Sequence, residues 1–343
     1  YFSPLLYGAT GLEASWDDVL IGDAGGNPLW QGLQTLRGLP PQGNDLHLTL
    51  DATLQQEAHA ALGSRPGAVV LLDVQTGAVL ALASNPTFDA NALTALTDDD
   101  RAAAEGAWNT LTTDSRTPLV QRATSGLYAP GSTFKTVTTA AALQRGIATA
   151  DTVYEDAGSI TIDGHTLVEA NRPDDSVTTW TLRDAFSWSL NVVFAQIGLQ
   201  LGGPALADAA RSWGWESAIP FDLPSEPSRV FVTPGFLESE LAVAETAFGQ
   251  GELLVTPLQM ALVAAGVANE GEVMRPYLVQ SITAPDGETL RTVSPQTWRR
   301  PLNREVAQQT AALMQNAVEL GALGGAYVPG YAIGGKTGTA ETA

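Results

Sequence analysis

The chain has 343 residues, enough for one large domain with an accessory segment or for two to three domains, and 44% of them are hydrophobic, so a sizeable core is expected. A formal net charge of −20 argues against a nucleic-acid partner, whose phosphate backbone would be repelled, and reads as colloidal solubility. With no cysteine there is neither a disulfide nor a thiolate nucleophile, and the three scattered histidines (His47, His59 and His165) have no metal-binding spacing, so no metal or other cofactor is expected.

Residues 1–43 are rich in Gly, Pro and Trp and close on Gly38-Leu39-Pro40-Pro41-Gln42-Gly43, a turn-forming run that predicts a boundary before a domain over 44–343. Leu46, Leu48 and Leu50 alternate with polar residues and predict a short strand. Asp51 then caps a helix whose apolar face is Leu54, Ala58, Ala61 and Leu62, closed by Gly63. Ala68–Asp73 and Ala78–Ala83 flank Gln75-Thr76-Gly77 and predict a hairpin buried on both faces. Residues 89–118 read as mixed helix and loop. A helix is expected from Ser132 to about Arg145, stopping at Gly146, with further helices near 182–201, 203–212, 238–248, 257–269 and 303–320. Strands are expected around 159–167, 276–284 and 331–338. An early hairpin, a helical middle and a late strand predict an α+β domain whose sheet joins distant segments. The longest apolar run, around Ala261 to Ala268, is too short to span a membrane; the first residue is not methionine, so a signal or anchor is expected upstream of Tyr1.

The chain carries only two lysines, Lys135 and Lys336, against fifteen arginines. Arginine stays charged and cannot accept a proton from a nucleophile, so lysines kept in so lysine-poor a chain are candidates for chemistry. Lys135 lies in Tyr128-Ala129-Pro130-Gly131-Ser132-Thr133-Phe134-Lys135. Pro130 and Gly131 place Ser132 in the first turn of a helix, and a spacing of three puts the amine on the same face as the hydroxyl. The helix N-terminus offers backbone N–H groups where an oxyanion could develop. A neutral lysine could take the serine proton if burial or a nearby cation lowers its pKa. Read alone, the same residues also describe an N-cap serine and a lysine reaching to solvent.

Ser189-Leu190-Asn191 is the second element: two polar groups one residue apart, able to relay a proton and to hold both a carbonyl and an amine, or equally a capping serine and a turn asparagine. The third is Lys336-Thr337-Gly338-Thr339, where a strand would put Thr337 and Thr339 on one face and Gly338 would let a substrate backbone lie close. A glycine bulge at a strand end is its structural alternative.

In this order, the three elements resemble the active-site set of the penicillin-binding proteins and related serine β-lactamases. The similarity extends to Leu48–Gln55, to the hairpin running into Ala83–Asn91, to Phe248–Gln259 and to Ala268–Gly271, all of which look like the transpeptidase domain of class B penicillin-binding proteins. The early Tyr7–Glu13 resembles the stretch before that domain in division and elongation transpeptidases, particularly the penicillin-binding protein A type.

The resemblance implies an antiparallel sheet flanked by helices plus a mainly helical subdomain, with 1–43 as the end of a non-catalytic region. It implies a peptidoglycan D,D-transpeptidase in which Ser132 attacks the penultimate D-alanine of a stem peptide and Lys135 is the base. Ser189 would pass the proton to the leaving amine and Asn191 would orient Lys135 and substrate. Lys336 would keep the field positive and organise Ser189, Thr337 and Thr339 would bind the terminal carboxylate beside Gly338, and the N–H groups of Ser132 and Thr339 would form the oxyanion hole. An acceptor amine would complete the cross-link, and β-lactams would be trapped at Ser132.

The setting implied is the extracytoplasmic face of the bacterial membrane, with an N-terminal anchor and a division or elongation glycosyltransferase as partner. Alternatives are a D,D-carboxypeptidase or β-lactamase-type hydrolase of the same superfamily, and a non-catalytic β-lactam- or stem-peptide-binding scaffold. Gln121-Arg122-Ala123 departs mildly from the Asn-Arg-Ala of many relatives. Seven residues follow Lys336, where the family continues with sheet strands and a C-terminal helix, so those elements are expected to be missing here.

Overall fold

The computed structural model describes residues 2–3, 6–22 and 42–340, and these fall into two compact units. The boundary expected at 38–43 lies outside the described residues as far as residue 41.

One unit comprises 1–126, 220–226 and 275–296. The strand expected near 46–50 is Asp45–Leu48, and it pairs antiparallel with Val279–Thr283. Helix Ala52–Leu62 begins where the Asp51 carboxylate accepts the N–H groups of Thr53 and Leu54, and ends at Gly63, whose φ of 56° suits glycine. Its inward face differs from the expected one. Leu54 and Ala61 are exposed, whereas Ala58 and Leu62 pack on Val69, Ala81 and Ala83. The remaining inward positions, Gln55 and His59, are polar: Gln55 accepts from Leu82 N–H at 2.8 Å and donates to Leu82 O at 3.0 Å, clipping the neighbouring strand.

The hairpin forms from Gly67–Leu72 and Val79–Asn85. Only its second strand is buried as expected, with Val79 and Leu82 packed against Leu278 and Ala123. Gly67–Leu72 is half-exposed, because Val79–Asn85 is the only strand paired with it among the described residues. Downstream, helix Asp98–Thr113 starts at a capping box between Thr97 and Asp100.

The other unit comprises 127–219, 227–274 and 297–343. Its core is helical: Lys135–Gln144, Asn191–Leu201, Gly203–Trp213, Glu240–Ala247, Pro257–Ala268 and Arg304–Glu319. Serine, threonine and asparagine caps open several of them, as at Ser239, Thr256 and Asn303. The helix expected over 182–201 is broken into Leu182–Trp188 and Asn191–Leu201 by Ser189, which sits in the left-handed region at φ 64°, ψ 40°. Likewise the strand expected at 159–167 is a small hairpin, Ser159–Ile162 with His165–Val168.

The strand expected at 331–338 is absent. A strand exists through ladder hydrogen bonds, and no described strand runs beside this segment. It lies instead against helix Arg304–Glu319, where Gly335 N–H donates to Met314 O at 3.1 Å. The described strands form six small antiparallel sheets, and the three-stranded one joins distant segments as expected, pairing Asp45–Leu48 with Val279–Thr283.

Candidate active site

Every residue picked out for chemistry lies in the second unit. Ser132 stands in a 3-10 turn, Gly131–Phe134, which leads into helix Lys135–Gln144, so the serine precedes the α-helix instead of opening it. Phe134 anchors this turn: it is fully buried, edge-on to Trp215 at 5.7 Å between ring centroids. Lys135 begins a helix buried from its first residue to Leu143 and is itself 0% exposed.

A buried ammonium needs acceptors, and Lys135 finds three. Its Nζ donates to Asn191 Oδ1 at 2.6 Å, to Ser189 O at 2.7 Å and to Ser189 Oγ at 3.3 Å, and it lies 5.2 Å from the centre of the Phe194 ring. The break in the expected 182–201 helix makes this possible. Left-handed backbone at Ser189 costs roughly 1 kcal/mol for a residue with a Cβ, and it turns the Ser189 carbonyl, its hydroxyl and Asn191 toward one amine. Burial holds Lys135 well below the ordinary lysine pKa; the Lys336 charge lowers it further, and Glu169 opposes both. The lysine three residues from Ser132 is therefore biased toward the neutral form a base requires.

Lys336 is partly buried, 5.6 Å from the centre of the Phe186 ring, with its Nζ 3.4 Å from both O and Oγ1 of Thr337. Phe186 and Phe194 are themselves in contact at 6.4 Å, so each lysine has one ring of an aromatic pair. Burial brings the Lys336 pKa down to about 8. Among the described residues Lys336 makes no hydrogen bond to Ser189; its charge acts on Lys135, which Ser189 holds.

Thr337, Gly338 and Thr339 are exposed, and their backbone lies directly over the serine turn. A Cβ on Gly338 would come within 2.8 Å of both Pro130 O and Thr133 Cγ2, and one on Gly131 within 3.0 Å of Thr339 N. Ser132 and Thr339, expected to supply the two oxyanion N–H groups, thus belong to backbone segments in contact.

The penicillin-binding protein transpeptidase domain matches residues 67–343 of this sequence. The chain belongs to the penicillin-binding protein transpeptidase family. It is 36% identical over 351 residues to the peptidoglycan D,D-transpeptidase PbpA of Mycolicibacterium smegmatis, covering 99% of this chain and 69% of that protein. Among solved structures, a ceftriaxone acyl-enzyme complex of penicillin-binding protein A from M. tuberculosis aligns with a TM-score of 0.88 at 34% identity, over 100% of this chain and 77% of that one. The D,D-transpeptidase domain of a peptidoglycan glycosyltransferase from Eggerthella lenta gives 0.86, also at 34% identity, over 100% and 78%. The α+β penicillin-binding protein fold expected from the sequence is the fold these structures share.

Three further residues of this transpeptidase-family site escaped sequence reasoning. Gly249, at φ 92°, accepts the Gly131 N–H at 3.0 Å and lies flat against the serine turn. Its one signal in the sequence is its place in Phe248-Gly249-Gln250-Gly251, a stretch that resembles the family's transpeptidase domain. Glu169 is buried and Asn171 reaches Ser189 O at 3.0 Å. Nothing marks either in the sequence, where Glu169 is one of 37 acidic residues.

Proposed function

We propose that this protein is a peptidoglycan D,D-transpeptidase acting through an acyl-enzyme at Ser132, and that β-lactams acylate the same hydroxyl. The observation that carries the reading is Lys135, fully buried and held by Ser189 and Asn191 three residues beyond Ser132. In its neutral form Lys135 takes the Ser132 proton as Oγ attacks the carbonyl of the penultimate D-alanine. The developing oxyanion meets the N–H groups of Ser132 and Thr339. The C–N bond then breaks, and the leaving D-alanine amine receives a proton through the Ser189 hydroxyl. A hydroxyl can both donate and accept, so Ser189 Oγ can follow Lys135 between its protonated and neutral forms. Lys336, Thr337 and Thr339 receive the substrate carboxylate; the missing side chain of Gly338, expected to make room for substrate, instead lets this segment lie against Pro130 and Thr133 of the serine turn. The amine of a second stem peptide attacks the acyl-enzyme and releases Ser132.

The assignment places the protein on the extracytoplasmic face of the membrane, attached by an N-terminal anchor, with a division or elongation glycosyltransferase supplying the glycan strands. No helix among the described residues is long and apolar enough to cross a membrane. The test is covalent labelling of the intact protein by a fluorescent penicillin. Ser132→Ala should abolish it, and undiminished labelling would sink the assignment. Product analysis with a stem-peptide donor and an amine acceptor should give the cross-linked dimer; hydrolysed donor alone would mean a carboxypeptidase, and no product a binding scaffold.

A further inference from the structure

Helix Asn191–Leu201 carries Asn191 as its first residue, yet no side chain of its own caps it: Leu190 stands at the N-cap. Its orphan N–H groups need an acceptor from elsewhere. The acceptor comes from 23 residues upstream, where Glu169 Oε2 accepts the Val192 N–H at 2.9 Å. The other oxygen, Oε1, accepts the N–H groups of Ala170 and Asn171 at 3.0 Å each, which locks the carboxylate and folds the chain so that Asn171 faces the break at Ser189. Asn171 Nδ2 then donates to Ser189 O at 3.0 Å, the same carbonyl that accepts from Lys135. Two adjoining grips, one on each side of Leu190, therefore hold the left-handed turn that aims Ser189 and Asn191 at the lysine.

We propose that Glu169 and Asn171 are positioning residues that clamp the Ser189-Leu190-Asn191 turn, and that the Glu169 carboxylate sets the pH at which Lys135 becomes a base. The proposal rests on the reading of Lys135 as the base. Glu169 is only 8% exposed, so its charge acts through protein rather than water. A negative group at a helix N-terminus is also stabilised where it sits.

The charges facing Lys135 are Lys336, which favours its neutral form, and Glu169, which favours its cation. Helix Lys135–Gln144 and the adjoining helix Asn191–Leu201 carry no other ionisable side chain. Of the other helices packed against it, Gly203–Trp213 directs Asp208 and Arg211 into surface ion pairs, and Arg304–Glu319 carries Arg304, Glu305 and Glu319 on its exposed surface. Glu240–Ala247, whose Ala247 O accepts from Thr138 Oγ1, carries Glu240 exposed and a half-buried Glu245 whose charged neighbour is His165. Glu169 is thus the negative counterweight to burial at this amine. It keeps Lys135 protonated to a higher pH than burial and Lys336 alone would allow.

Removing the negative charge lowers the Lys135 pKa further, so the neutral amine is present at lower pH. In Glu169→Gln the acid limb of the acylation rate should move to lower pH, whatever happens to its height. Glu169→Asp keeps the charge and should leave the limb where the parent has it, even if the shorter side chain lowers the plateau. Asn171→Ala removes a grip but no charge; the plateau should fall by about two- to tenfold, the worth of one part-buried hydrogen bond, with the limb unmoved.

The experiment is the second-order rate of labelling of the intact protein by a fluorescent penicillin as a function of pH, for the parent, these three variants and Lys135→Arg. A limb that stays put in Glu169→Gln, or moves equally in Glu169→Asp, overturns the proposal even though Lys135→Arg is inactive. Normal labelling of Lys135→Arg overturns the reading of the base itself, and this proposal with it.

Discussion

Gly249→Ala tests whether the serine turn is held by backbone packing. A Cβ at this position would lie 3.0 Å from Gly131 Cα and closer still to its carbonyl group, far inside the roughly 3.5–4 Å at which carbon atoms rest. The turn cannot retreat freely, because on its other side the Thr339 backbone already fills the space beside Gly131, with its carbonyl carbon 2.7 Å from where a Gly131 Cβ would be. Relief therefore requires the Gly131–Ser132 backbone to move by about 1 Å or more, and a misplacement of that size at a reacting group costs on the order of a hundredfold in rate. The φ of 92° adds strain of about 1–3 kcal/mol for a residue with a side chain.

Gly146→Ala is the matched control. Its φ is also positive, 67°, but a Cβ there meets nothing within 4 Å, so it should lose about 1 kcal/mol of stability and keep its rate. The assay is the second-order rate of labelling by fluorescent penicillin, with thermal melting alongside. If Gly249→Ala labels within about twofold of Gly146→Ala, the turn is not held as argued.

The two lysines should respond differently to arginine. Lys135→Arg keeps the charge and removes the base, so labelling should fall by about 10²–10⁴-fold, whereas Lys336→Arg keeps the charge that matters there and should lose far less; equal losses would refute the division of roles. The Lys336 cation is complete below its folded pKa of about 8 and is lost as the pH rises through it. Labelling should therefore decline above about pH 8, and Lys336→Arg, which stays charged, should abolish that decline; an unchanged alkaline limb would place its origin elsewhere.

What the sequence determined by itself was local. Helix caps at Asp51 and the stop at Gly63 were legible because a cap is satisfied by N–H groups two or three residues away. The pairing of Ser132 with Lys135 was legible for the same reason, and the order of three short motifs carried the family. Misreadings came where a distant part of the chain decides. The segment 331–338 has strand-like composition, but a strand needs a partner's backbone and found a helix instead. Apolar periodicity ran through 182–201 without a break, because the left-handed turn at Ser189 is held by Lys135 and Asn171, which no local pattern encodes. Gly249 looked like any loop glycine until Gly131 was beside it.

The two lysines show the division most plainly. Their scarcity and spacing marked both as chemical groups from the sequence alone. Which of them is pressed toward neutrality depends on burial, on their mutual repulsion and on one carboxylate 34 residues downstream of Lys135. Electrostatic energy depends on distance and dielectric surroundings in space, and only the tertiary structure sets those.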